Sequence, residues 1–210
     1  MLVAIHQPNF FPWLGYFDKI RRADAFVFLD TVAYPRAGSG GMGSWVNRVR
    51  IAVQGEPQWV TCPLRRMPLG APILTAEIDN RQPWRKKLLG TLRASYGKSM
   101  RFAQAMNVLQ PLIESPESNL AAFNTAAITV MAQHLGLTTR FLRQSELPHE
   151  GKATELLISL VKAAGGTDYL TGGGASRYQE NELFAKQGVG LVYQSFNPTP
   201  YGPPEKFIPG

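Results

Sequence analysis

"LVAIHQPNFFPWLGYFDKIRRADAFVFLD", residues 2–30, decides the fold class. Its first four residues are an apolar run closed by His6, Gln7 and Pro8, the pattern of a buried strand. From Trp13 onward, Trp13, Tyr16, Phe17 and Ile20 recur at i, i+3, i+4 and i+7. That spacing is one face of a helix, with Asp18, Lys19, Arg21 and Arg22 largely on the other. Trp13, Phe17 and Ile20 are accordingly assigned to the core, and Asp18 with Lys19 reads as a solvated pair on the helix surface. "AFVFLD" (25–30) is a second run of strand length, ending on an acid. Strand, short helix and strand predict a parallel pair.

The same alternation returns near the C-terminus. "TTRFL" (138–142), "DYLTG" (168–172) and "VGLVYQSF" (189–196) read as strands. "ATELLISLVKAAGG" (153–166) reads as a helix with a double-glycine stop, and a further helix falls within "GGASRYQENELFAKQG". Between the two β/α stretches lie a Gly/Ser-rich loop (34–44) and a hairpin of "WVNRVRIAV" (45–53) with "QWVTCPL" (58–64) across "QGEP". Three helices follow. The first takes Asn80 as its cap, carries Trp84, Leu88, Leu92 and Tyr96 as its stripe, and stops at Gly97. The expectation is one α/β domain over 1–210. It has a mostly parallel, Rossmann-like sheet with helices on both faces and a helical insertion around 80–136.

The chain has 210 residues, 44% of them hydrophobic and 18% charged, enough for a sizeable core. Nothing approaches the roughly 18–20 uninterrupted apolar residues of a membrane span, and "MLVAI" is too short for the apolar region of a signal peptide. One cysteine, Cys62, excludes an intramolecular disulfide and a multi-cysteine zinc site, and fits a reducing cytoplasm. His6, His134 and His149 lack metal-ligand spacing, so no metal site is expected. The net charge of +7 points to anionic partners. With no basic tail, zinc finger or RNP-type strand, nucleic acid is the weaker choice beside a small anionic ligand or a carrier protein.

In a parallel α/β sheet, ligands bind outside the carboxyl ends of the strands. Three loops there carry unusual residues. The first holds His6, a candidate general base, with Gln7, Asn9, Tyr16 and Lys19 as candidate substrate contacts. The second follows Asp30, a carboxylate placed to orient or deprotonate His6, and leads to Asn47, Arg48 and Arg50, which suit phosphate or carboxylate. The third, "TGGGASRY" (171–178), offers Gly172, Gly173 and Gly174 as backbone donors to an anion, with Tyr178 beside them and Gln194 at the end of the last strand. Cys62, in a run expected to be buried, reads as a small hydrophobe.

Taken in order, "IHQPNFFPWLGYFDKI", "DAFVFLDTV", "SWVNRVRI", "IDNRQPWRKKLLGTLRASYGK", "HLGLTTRF", "GKATELLISLVKAAGGTDYLTGGGASRY" and "YQSFNPTPY" resemble the WbqC-like protein family over essentially the whole chain. The resemblance implies a bacterial protein encoded among O-antigen, capsule, related lipopolysaccharide or secondary-metabolite genes. It also implies a chain that continues past the segment matching "EKFIPG" (205–210). A more distant likeness is to the H-x-G-H turn of the nucleotidylyltransferase and class I synthetase superfamily. Gly15 matches its glycine, whereas Trp13 and Tyr16 stand in place of both histidines, which removes the imidazole donors that adenylyl transfer by that route uses.

The function expected from these readings is a cytoplasmic transferase that passes an acyl or aminoacyl group to an activated sugar or amino-sugar. No metal is expected, and the donor is a thioester or a nucleotide. The alternative is a non-catalytic module that binds a nucleotide-sugar or a carrier protein.

Overall fold

The computed structural model describes residues 1–35, 44–172 and 180–199, and these fall into two compact units. Residues 1–8, 13–31 and 135–198 build the first; residues 9–12 and 32–134 build the second.

In the first unit, β1 (Leu2–His6) leads through α1 (Leu14–Arg22) to β2 (Ala25–Phe28). The chain returns with β5 (Arg140–Arg143), α5 (Ala153–Ala163), β6 (Asp168–Gly172), α6 (Asn181–Lys186) and β7 (Gly190–Gln194). The five strands lie in the order β5-β2-β1-β6-β7, and every neighbouring pair is parallel. This is the expected α/β architecture, with β1 at the centre because its apolar run must be covered on both faces. Register fixes which side chains share a face. Val3 and Ile5 pack with Ala25, Val27 and Tyr169 under Ile158 and Val161 of α5 and Phe184 of α6.

The alternate residues carry an aromatic layer on the other face. Phe26 meets Tyr16 of α1 at 5.2 Å and Phe28 at 5.3 Å between ring centroids, and Phe28 stacks on Phe141 at 5.5 Å. Here α1 departs from its reading. Tyr16 is only 2% exposed and belongs to the core, while Trp13 precedes the helix at its N-cap position and is 37% exposed. The i+3 spacing projected the helix one residue too far toward its N-terminus.

In the second unit, β3 (Arg48–Val53) and β4 (Glu56–Thr61) form the expected antiparallel hairpin. The turn is shorter than "QGEP". Gln54 and Gly55 alone make it, at φ 55° and 87°, and Pro57 lies in the strand opposite Ala52. Both positive angles are what a two-residue hairpin turn requires. α2 (Trp84–Tyr96), α3 (Phe102–Glu114) and α4 (Leu120–His134) supply the helices expected over 80–136. Their core gathers Phe10, Trp84, Ile113, Leu120 and Phe123. Asn80 does not cap α2: Pro83 holds that position, and Asn80 Oδ1 accepts from Arg85 Nη1 instead.

Phe26 touches Tyr16, Phe28 and Phe141, so its truncation cannot be filled by one neighbour. Phe26→Ala is expected to lower unfolding stability by about 3–5 kcal/mol, read as a fall in the urea midpoint with an unchanged slope.

Candidate functional site

Connections leave β1 toward β2 and β5 on one side and leave β6 toward β7 on the other, so the direction of winding reverses between β1 and β6. The carboxyl ends of those two strands are where such a sheet opens a crevice. The registers show it. β1–β2 is paired as far as His6↔Phe28 and β6–β7 as far as Gly172↔Gln194, but β1–β6 stops at Ala4↔Leu170.

Backbone alternation then decides what happens at Ile5. His6 O accepts from Leu29 N on the β2 side, so Ile5 O faces β6 beyond the end of that ladder. The group that satisfies it is Lys19, whose Nζ donates to Ile5 O at 2.9 Å. Lys19 is 4% exposed, which corrects its reading as a solvated surface residue. Its ammonium lies 5.7 Å from the ring centroid of Tyr169, a residue of the opposite face. It has no carboxylate partner among the described residues, and burial lowers its pKa to about 8. Its sequence neighbour Asp18 behaves differently. Its carboxylate is tied by Gln194 (2.9 Å), Arg21 (3.0 Å) and Arg22 (2.8 Å). Burial pushes Asp18 up, and those hydrogen bonds outweigh it and hold it below the ordinary carboxylate value.

His6 and Gln7 stand at the same strand end. His6 Nδ1 lies 3.0 Å from Gln7 O, and a carbonyl can only accept, so Nδ1 carries the proton and Nε2 is the free lone pair. Tyr16 Oη donates to the same carbonyl at 2.9 Å, and its ring meets the imidazole edge-on at 4.9 Å. Burial first and the Lys19 ammonium second push His6 down to about 4, against the opposing bond to Gln7 O. The imidazole is therefore neutral near pH 7.

Asp30 is not brought to His6. Its two oxygens accept from Ser145 N (3.0 Å) and Ser145 Oγ (2.7 Å), which pins the end of β2 to the turn after β5. Gln194 is likewise committed to the first turn of α1, through Gly15 O at 2.8 Å and Asp18. Gly172 ends β6 opposite Gln194, and Gly173, Gly174 and Tyr178 lie outside the described residues.

The remaining candidates belong to the second unit. Asn47 accepts from Tyr34 Oη at 2.6 Å and donates to Cys62 O at 3.0 Å, a structural tie within the turn that precedes β3. Arg48 stacks its guanidinium 4.0 Å from the Trp59 ring, and Arg50 lies on the same face at 5.8 Å. Asn9 is buried with Oδ1 unpartnered among the described residues. Cys62 is buried, and burial pushes its thiol up to about 12, so it is the small hydrophobe its neighbours suggested.

The family profile of the WbqC-like protein family matches residues 7–210. The chain belongs to that family. It is 26% identical over 196 residues to "Uncharacterized protein Rv1507c" of Mycobacterium tuberculosis (strain ATCC 25618 / H37Rv), spanning 93% of this chain and 82% of that relative. No solved structure matches. Among the described residues no helix is long and apolar enough to cross a membrane, and no group of three His, Cys, Asp or Glu could hold a metal ion.

His6, Gln7 and Tyr16 lie together at the carboxyl end of β1, as the sequence placed them, whereas Lys19 is buried rather than solvated. Its signal was available: position 19 is i+3 from Tyr16, on the flank of the buried stripe.

Both site groups have native pKa values below their unfolded values, so the unfolded chain binds more protons and stability rises with pH through each window. The windows run from about 4 to 6.5 for His6 and from about 8 to 10.5 for Lys19. Below pH 8 the full cost of the buried ammonium acts, about 3 kcal/mol for that displacement. Losing the bond to Ile5 O costs about 1–3 kcal/mol. Lys19→Met is therefore expected to unfold at pH 7 no earlier than the wild type, and to lose the rise in stability between pH 8 and 10.5. Urea titrations across that range check both.

Proposed function

We propose that this WbqC-like chain is a cytoplasmic transferase of bacterial surface-polysaccharide or related biosynthesis. It passes an acyl or aminoacyl group to an activated sugar or amino-sugar at the carboxyl ends of β1 and β6. The observation that carries this reading is a neutral imidazole beside a buried ammonium, with neither Nε2 nor the ammonium paired to a carboxylate among the described residues.

Each group has a definite chemical use. A buried ammonium without a carboxylate is costly unless an anion neutralises it, and a sugar phosphate, a nucleotide or the phosphates of a thioester carrier supplies one. The acceptor amine or hydroxyl attacks the acyl carbon, the new C–N or C–O bond forms, and the bond to the leaving thiolate or phosphate breaks. His6 Nε2 takes the proton that the acceptor loses, and its Nδ1–H stays on Gln7 O, which fixes the tautomer. An anion on Lys19 offsets part of the charge that depresses His6, so the base strengthens as substrate binds. Gln7 offers an amide to position the acceptor, Gly172 ends β6, and Gly173, Gly174 and Tyr178, next in sequence, remain candidate anion contacts. Arg48 and Arg50 remain candidate phosphate contacts of the second unit. The thiol of Cys62 is too buried and too basic to carry an acyl intermediate.

One observation favours the alternative of a binding module. His6 near 4 is a weak base in the free protein, and Asp30 is spent on Ser145 rather than on the imidazole.

Mass spectrometry of incubations with acyl-coenzyme A and UDP- or dTDP-amino-sugars separates the two. The transferase predicts acylated product, a loss of roughly 10²–10⁴-fold in turnover for His6→Ala, and little change for Cys62→Ala. Ligand binding by calorimetry with no product from any pair supports the module.

A further inference from the structure

Trp13 departs from the helical pattern, and the reason lies in what surrounds it. Its indole is 37% exposed and the next residue, Leu14, is 51% exposed, at the start of a helix whose other large apolar residues are buried. The ring is nonetheless fixed in place. Its six-membered half lies against Gly15, where a Cβ would overlap it, and Phe196 meets it edge-on at 5.6 Å. Gly15 has no left-handed backbone angle to explain it, so the glycine is there to make room for the ring. A tryptophan seated on a glycine, buttressed by a phenylalanine and left open to water gives the core little of its apolar area. It presents a rigid aromatic surface.

Its position is the second pointer. Trp13 is the N-cap residue of α1, so it stands at the carboxyl edge of the sheet, the edge where Lys19 Nζ meets Ile5 O. α1 has no capping side chain and no acid in its first turn, and the Asp18 carboxylate beside that turn is held by Gln194, Arg21 and Arg22. One edge of the unit thus offers a seated π-face and a cation with no carboxylate partner among the described residues. A ligand that uses both carries a flat ring and a negative charge.

We propose that Trp13 is the stacking platform for the nucleobase of a nucleoside diphosphate, whose phosphates are drawn to the Lys19 edge of the same strand end. This deepens the transferase reading and rests on it: the activated sugar enters as a nucleotide-sugar, and Trp13 reads its base. The base lies against the open face of the indole, and Gly15 and Phe196 hold that face in place.

Calorimetry on the whole protein with UDP, ADP, GDP and dTDP, against inorganic pyrophosphate, tests this without requiring turnover. The wild type binds at least one nucleotide more tightly than pyrophosphate. Trp13→Ala weakens that nucleotide by about 10-fold or more and leaves pyrophosphate unchanged, while Trp13→Phe keeps most of the affinity. Gly15→Ala retains the indole but displaces it, and loses nucleotide affinity to a similar degree with a wild-type melting curve. Lys19→Met loses both ligands. If Trp13→Ala binds nucleotide as the wild type does, or loses pyrophosphate in equal proportion, the platform is overturned while the anion site stands. If the wild type binds neither pyrophosphate nor any nucleotide, the anion site and the platform fall together.

Discussion

A single carbonyl at the centre of the sheet sets the terms for the rest of the first unit. β1 is flanked on both sides, so each of its backbone groups must find a partner away from water. Pairing with β6 ends at Ala4↔Leu170, one carbonyl too soon, and Ile5 O is left facing the gap. An ammonium from α1 fills the vacancy. A side chain of ordinary polarity could have done so without charge. Lys19 therefore carries a desolvation cost that the sheet alone does not require.

The neighbouring groups are arranged around that cation. Burial and the ammonium together keep His6 neutral, and the Gln7 carbonyl fixes which ring nitrogen keeps its proton. Tyr16 donates to the same carbonyl, so the core helix and the site residue are positioned by one acceptor. The three carboxylates nearest to Lys19 in sequence have other partners, Asp24 accepting from Leu2 N. Asp18 is taken by Gln194, Arg21 and Arg22, and Asp30 by Ser145. The acids that could have neutralised Lys19 or charged His6 are spent on tying β7 to α1 and β2 to the turn after β5.

In the second unit, two of the residues with the most chemical potential on paper serve the fold. Asn47 is saturated by Tyr34 and by the Cys62 carbonyl, and Cys62 is a buried thiol with no tendency to ionise. The hairpin face is different, for Arg48 and Arg50 sit with an exposed Trp59 between strands that pair regularly from Arg48↔Thr61 to Val53↔Glu56.

The amino-acid sequence by itself determined the order and type of the elements in the first unit. The apolar runs 2–5 and 25–30, the strand at 168–172 and the double-glycine stop after α5 follow from local pattern and backbone preference, and none needs long-range information. It also placed His6 at a strand's carboxyl end, because a polar pair closing an apolar run can only lie there. Tertiary structure alone decided that Lys19 is buried, that Trp13 is exposed and that Asp30 answers to Ser145. Each of these depends on where a neighbouring strand stops or a distant turn arrives. Ser145 is 115 positions from Asp30, and the length of the β1–β6 ladder depends on β6, which lies well over a hundred positions away in sequence. Periodicity reports which face of an element meets its neighbours, but not where the neighbour ends, and here that end point is where Lys19 meets Ile5 O.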